Sequence, residues 1–331
     1  MEMPDCFRLH RGITLIEMMI ALAVFGILLV TIYPTFSSVT MHINELNDKQ
    51  DLTEKGQRVL DYLSEELRMA GLFVGATPSL TFCASADTNS LVHVDGAPYD
   101  RIAFFTSKRI TTTENGSPFL RTTARAASGS NLVSVNAIGD DVSSITPASG
   151  GVENAASFIT FDTLQPNLGT LVYQVAAFGP TDTKLTLLPA LDQNVNALSN
   201  AYSVVRIQFD VDVSTKPRSL RLLRWNKNCG LDPDWLVASH GSKHDDGGVD
   251  GFQVEYLMAN GSQQADLAAG DIVKVRAIVL WVLLRADFPA REFVNNSTYT
   301  LGQARPVVVA VHDHYRRVLL TRIVEVKNVG L

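Results

Sequence analysis

The chain has 331 residues, 46% of them hydrophobic, which is enough to bury a sizeable core in one large domain or two. With a formal net charge of −6 and a pI near 5.6 it gains no counterion release from a phosphate backbone, so nucleic-acid binding is disfavoured. A single uninterrupted apolar stretch is long enough to cross a bilayer, which excludes a polytopic membrane protein.

That stretch lies at the start. From Ile13 to Tyr33 there are 21 residues with one charge, Glu17, and a helix of that length spans the roughly 30 Å hydrocarbon core. Arg8, His10 and Arg11 precede it and hold the leader on the cytoplasmic side. The small residue, Gly12, stands before the apolar run, whereas a secretory signal is cut beyond it. Cleavage at Gly12 would therefore keep the anchor. A carboxylate in lipid costs about 2.5–3.5 kcal/mol, somewhat less near a helix end, so Glu17 is a functional candidate. Its nearest positive partner after cleavage would be the α-amino group of Ile13, its own or a neighbour's. The plain alternative is a signal anchor that tolerates the charge.

Gly12-Ile13-Thr14-Leu15-Ile16-Glu17 followed by an apolar helix resembles the class III signal of type IV pilins and of the pseudopilins of type II secretion. The resemblance implies that prepilin peptidase cuts between Gly12 and Ile13, that the new Ile13 amine is N-methylated, and that Glu17 serves subunit assembly. Ile13 departs from the commoner Phe after the cut.

Cys6 would leave with the leader 1–12, so Cys83 and Cys229 remain on the far side of the membrane. An even pair in an oxidising compartment suggests a disulfide, with two separate buried thiols as the alternative. Pro34 follows the span and predicts a kink or a melted turn, because its ring removes a donor and crowds the preceding turn. Helical patterning resumes with Leu52, Gly56, Val59, Leu60, Leu63, Leu67 and Ala70 at steps of three and four. Asp51 with Lys55 and Glu54 with Arg58 form i,i+4 pairs outside that stripe, and Gly71 suits the C-cap.

The expected helix occupies residues 13–72, with 13–33 in the membrane and 34–72 packing one face on the domain that follows, a length of about 85 Å from Ile13 to Ala70 if regular. That shape is the type IV pilin lollipop. The segment Lys55 to Gly71 resembles the PilW family of minor pilins and the related pseudopilin GspJ.

From about residue 80 the periodicity turns to two, and residues 73–331 read as a β-rich domain outside the cytoplasm. Strands are predicted at Arg101–Thr106, Asn131–Val135, Ser157–Asp162, Leu171–Phe178, Lys184–Leu188, Tyr202–Val213, Arg218–Trp225 and Gly251–Leu257. Ile272–Ala286 reads as a buried strand despite its apolar length, because it carries Lys274, Arg276 and Arg285. Pro306–His312 and Arg316–Lys327 form the expected last strand pair, and Thr111–Ser117 and Thr123–Ser130 are loops. Val249–Tyr256 and Asp313–Asn328 also resemble PilW proteins.

Asp232, Asp234, His240, His244, Asp245, Asp246 and Asp250 form the densest polar cluster, but their spacing fits no EF-hand and a solvated loop is expected. No nucleophile elbow, P-loop, Cys-x-x-Cys or zinc-protease motif is present, so no enzyme, cofactor or metal is expected. Asn260-Gly261-Ser262 and Asn296-Ser297-Thr298 match glycosylation acceptors that loop polarity explains, and Trp225, Trp235 and Trp281 read as core or rim residues.

The fold expected is thus α+β and pilin-like, with a long bent N-terminal helix on an antiparallel β-rich domain. The resemblance implies a minor pilin that initiates or caps a type IV pilus, anchored singly in the bacterial inner membrane with its domain in the periplasm and later at the pilus tip. Its implied partners are other minor pilins, the major pilin, prepilin peptidase and the inner-membrane assembly platform. A GspJ-type pseudopilin and an anchored adhesin or ligand-binding module are the alternatives.

Overall fold

A computed structural model of the chain describes residues 15–74, 80–82, 85–87, 91–96, 98–110, 119–136, 158–165, 170–178, 183–214, 218–225, 231–237, 248–290 and 293–326. The chain divides into two compact units, residues Met1–Asp51 and Leu52–Leu331. Helix α1 (Leu15–Arg68) begins in the first and ends in the second, and it passes Pro34 without interruption. A stop at the proline is therefore excluded. The turn after the helix is closed by Met69 and Ala70 donating to Glu66 and Leu67 carbonyls, and Gly71 takes φ +73°, which a glycine adopts without strain.

Among the described residues the second unit holds α1 from Leu52 onward and 17 strands in four sheets. In chain order these are β1 (Leu80–Phe82), β2 (Ser85–Asp87), β3 (Leu91–Val94), β4 (Arg101–Arg109), β5 (Leu132–Ser134) and β6 (Phe158–Phe161). Next come β7 (Tyr173–Phe178), β8 (Lys184–Leu188), β9 (Ala201–Asp212), β10 (Ser219–Trp225), β11 (Leu231–Val237) and β12 (Val249–Met258). After β13 (Gln263–Gln264), a 3-10 helix (Ala269–Lys274) leads into β14 (Val275–Arg285), and β15 (Thr298–Leu301), β16 (Val307–Ala310) and β17 (Arg317–Glu325) complete the chain.

The largest sheet has nine strands and branches at β9. One edge of β9 pairs with β4 along Tyr202–Phe209; the other is shared by β6, at Ala201–Val204, and β10, at Ile207–Asp212. The branch divides the core in two. Phe105, Phe158, Ile159, Tyr173 and Val204 belong to one cluster, while Ile102, Phe104, Ile207, Phe209 and Leu222 belong to the other.

That second cluster is shared with α1 and a four-stranded sheet ordered β13-β12-β14-β17. The stripe expected on the helix is its buried face: Leu52, Gly56, Val59, Leu60, Leu63 and Leu67. It lies against Val254, Ile278, Leu280, Leu284 and Val324 of the smaller sheet, with Gly56 so close to the ends of Leu284 and Leu320 that a side chain there would have to displace them. Burying these side chains is worth about 1.5–3 kcal/mol each. Glu54 and Arg58 pair as expected, whereas Lys55 binds Asp287 at 2.8 Å.

The eight strands predicted before residue 258 and the buried strand after it all form, Lys184–Leu188 with both ends as predicted and the others with ends shifted by up to three residues. The final pairing differs from expectation. Strand β16 pairs with β15, and β17 pairs with β14 over Arg317–Glu325, so the last two strands are not partners. β14 offers nine residues of apolar surface to β17, which the four-residue β16 could not match.

Candidate functional site

The candidate site begins in the first unit. Helix α1 is long and apolar enough to cross a bilayer, and among the described residues nothing buries its apolar window. From Leu15 to Met41 its one charged residue is Glu17, in the first turn of the described helix. The hydroxyls of the apolar stretch are satisfied locally: Thr31 donates to the Leu28 carbonyl at 2.9 Å and Thr35 to Thr31 at 3.3 Å. Pro34 supplies no N–H for the Val30 carbonyl, so the helix is weakest at that turn. Gly12 and Ile13, and the cysteines Cys83 and Cys229, lie outside the described residues.

In the second unit the predicted Asp/His cluster is dispersed. The backbones of Asp232 and Asp234 are in β11, opposite Arg224 and Leu222 of β10, so the loop expected there is a strand. Asp250 is in β12 and accepts from Arg317 Nε at 2.6 Å, which makes it an ion-pair partner. His240, His244, Asp245 and Asp246 lie outside the described residues, as does the loop Thr111–Ser117. Among the described residues no three His, Cys, Asp or Glu side chains converge as metal ligands.

Three buried polar arrangements carry the remaining chemistry. The Arg317 side chain, 3% exposed, binds Asp313 with both terminal nitrogens, at 2.7 and 2.6 Å, in addition to Asp250. The Arg317 hydrogen bonds outweigh burial and hold the Asp313 carboxyl below the usual range. Arg285 stacks 4.6 Å over Tyr315 beside this clamp. The Asp313–Arg317 motif thus fastens the start of β17 to β12.

Glu255 is fully buried on the face of β12 opposite the core. Its Oε1 accepts from the backbone N–H groups of Gln303, Ala304 and Arg305 at 2.8, 3.0 and 3.2 Å, and Gln263 donates to Oε2. The turn between β15 and β16 is wrapped around this carboxylate. Gly302, with φ +82°, brings the backbone in where a Cβ would strike Glu255 and Gln253.

Asp100 joins the two large sheets. Its N–H donates to Phe252 at 2.8 Å, and its carboxylate accepts from Val254 N at 2.9 Å and Gly96 N at 3.3 Å. His93 Nε2 stands 3.3 Å away without good hydrogen-bond alignment, and its ring meets Tyr256 edge-on at 5.5 Å. Burial raises the Asp100 pKa, but contacts from His93, Val254 and Gly96 prevail and hold it low. Burial raises that of Tyr256, so the phenol stays neutral. All three arrangements fix the fold.

Residues 7–33 match the prokaryotic N-terminal methylation motif. That match supports a type IV pilin-like N-terminus and, with the apolar helix α1, anchoring in a membrane. It implies processing by prepilin peptidase and pilin–pilin assembly. A type IV-like pilin from Thermus thermophilus aligns over 84% of this chain and 98% of its own at 12% identity and TM-score 0.39. A phage phi92 endosialidase aligns over 56% of this chain and 36% of its own at 10% identity and TM-score 0.15. No curated protein sequence matches the chain. The architecture, one long helix with antiparallel sheets, is α+β on its own evidence of pairing.

Proposed function

We propose that the chain is a minor pilin of the PilW type that takes part in initiating or capping a type IV pilus. The match of residues 7–33 to the methylation motif supports this most directly. Prepilin peptidase cuts between Gly12 and Ile13, the Ile13 amine is methylated, and residues 13–33 stay in the inner membrane while the domain of residues 73–331 stands in the periplasm, its Cys83 and Cys229 bonded. Glu17 then neutralises the amine of an adjacent subunit, which removes the cost of about 2.5–3.5 kcal/mol that an isolated carboxylate bears in lipid. The β-domain selects other minor pilins, and the complex sits at the pilus tip.

Mass spectrometry of the membrane form tests processing: methylated Ile13 is expected, and an intact Met1 or a cut beyond Tyr33 refutes it. Glu17→Ala should leave cleavage and insertion intact, since removing a carboxylate eases insertion, yet abolish surface pili and co-purification with other prepilin-type subunits. Normal piliation in that variant would reduce Glu17 to a tolerated charge. Lost secretion with pili intact in a deletion strain would assign the chain to type II secretion.

A further inference from the structure

Two histidines, His312 and His314, stand in the connection from β16 to β17 with one residue between them. The backbone there is held on both sides of Asp313. Asp313 and Asn295 form an antiparallel bridge, in which the Asp313 N–H donates at 3.3 Å and its carbonyl accepts at 2.6 Å. Val311 N–H donates to Ser297 at 3.3 Å, and the His314 carbonyl accepts from Ala290 at 2.8 Å. The Asp313 side chain is bound by both terminal nitrogens of Arg317, so the residue between the histidines is fixed at its backbone and at its carboxylate. Val311 and Asp313 are half-buried while His312 and His314 are exposed, which is the alternation of extended chain. Both imidazoles therefore leave the same face, from Cα atoms about 6.4–6.8 Å apart.

The rings are fixed as well. His314 Nδ1 lies 2.7 Å from the Phe293 carbonyl oxygen, and His312 Nδ1 meets the side-chain oxygen of Asn296, the residue across from it. A carbonyl oxygen only accepts, so in each neutral ring Nδ1 carries the proton and Nε2 keeps the lone pair. Among the described residues no hydrogen bond or ion pair occupies either Nε2. Histidines that bind a metal through one nitrogen characteristically give the other N–H to a carbonyl or carboxylate, which sets the ring and raises the basicity of the ligating atom. Two surface histidines share a face by chance often enough; both rings held this way is the observation that points to a ligand.

We propose that His312 and His314 chelate one divalent transition ion through their Nε2 atoms. Imidazole pairs suit zinc or copper, whereas calcium and magnesium take oxygen ligands, so the ion belongs to the first class. Two protein ligands leave coordination positions that water fills. The cationic side chains beside the histidines are already engaged: Arg316 stacks 4.6 Å over the Phe293 ring, and Arg317 is balanced by Asp250 and Asp313. The site is far in sequence from the N-terminal motif and does not depend on the pilin reading.

Calorimetric titration of the untagged full-length protein in detergent with Zn2+, alone and in excess Ca2+, tests this. One ion per chain is expected, undisturbed by Ca2+ and bound at least about tenfold more weakly in His312→Gln and in His314→Gln. Asn296→Ala keeps both ligands but removes the acceptor that sets the His312 ring, and should weaken binding about tenfold. All three altered side chains are exposed, so metal-free melting temperatures should match the unchanged chain, and Zn2+ should raise the melting temperature of the unchanged chain but of neither histidine variant. A chain with His240→Gln and His244→Gln together accounts for the other histidine pair in the sequence and should bind as the unchanged chain does. Absence of Zn2+ binding, equal binding in the His312 and His314 variants, loss only in the His240 and His244 chain, or displacement by Ca2+ would each overturn the proposal.

Discussion

Replacing Glu255 by Gln tests whether a buried carboxylate holds the β15–β16 turn. The side chain keeps its shape, but one of two acceptor oxygens becomes an NH2 group. Gln303 N lies 2.8 Å from Oε1 and 3.0 Å from Oε2, and Gln263 donates to Oε2, so the amide would set donor against donor. The remaining oxygen still serves Ala304 and Arg305, at 3.0 and 3.2 Å. Losing one charge-assisted bond and leaving a buried donor unpaired costs roughly 3 kcal/mol in all. Urea unfolding of the full-length protein in detergent should show a midpoint lowered accordingly. Hydrogen exchange should accelerate at Gln303, Ala304 and Arg305 first, because only their acceptor changes. A midpoint within about 0.5 kcal/mol of the unchanged protein, with those amides still protected, would show that the turn holds itself and the carboxylate is incidental.

Arg317→Ala leaves Asp250 and Asp313 without their shared cation and should cost about 3–5 kcal/mol by the same denaturation, with no effect on leader cleavage; an unchanged midpoint would show that solvent replaces the clamp. Gly56→Leu forces a side chain into the space held by Leu284 and Leu320 and should lose about 3 kcal/mol, read as a lowered melting temperature. Acid should also destabilise the domain. The folded pKa values of Asp100 and Asp313 are depressed, so their contribution is complete above the unfolded carboxylate value near 4 and is lost as pH falls through the lower folded values. A urea midpoint that stays flat from about pH 5 to pH 2 would contradict this.

Much of the fold was legible because its signals are local. The three-and-four stripe from Leu52 to Leu67 and the alternation in Lys184–Leu188 and Tyr202–Val213 report which face of an element is apolar. β11 was missed since Leu231-Asp232-Pro233-Asp234 reads as a polar turn with a proline, and its strand character comes from pairing with β10. Which strands pair is set by surfaces far apart in the chain, so the β14–β17 partnership had no local signature. Glu255 and Asp100 were invisible for a related reason. A carboxylate that anchors a turn some fifty residues away, or joins two sheets, looks in sequence like any surface charge. The segment from Asp313 to Asn328 stood out only by resemblance, and the bidentate pair that Asp313 and Arg317 form within it had no signal of its own.

The contact between Gly56 and Leu320 joins nearly the first ordered element of the domain to the last. Synthesis proceeds from the N-terminus, so the helix face of Leu52, Leu60 and Leu63 is made first, and part of its cover, β17, is made last. Closure of that core must await the end of translation, and contacts so distant in sequence close slowly. A chain stopped short of Val318 would keep its anchor and most of its strands yet leave one flank of the helix bare. Completeness of the polypeptide is thereby read out at the helix, the same element that carries the membrane-spanning segment.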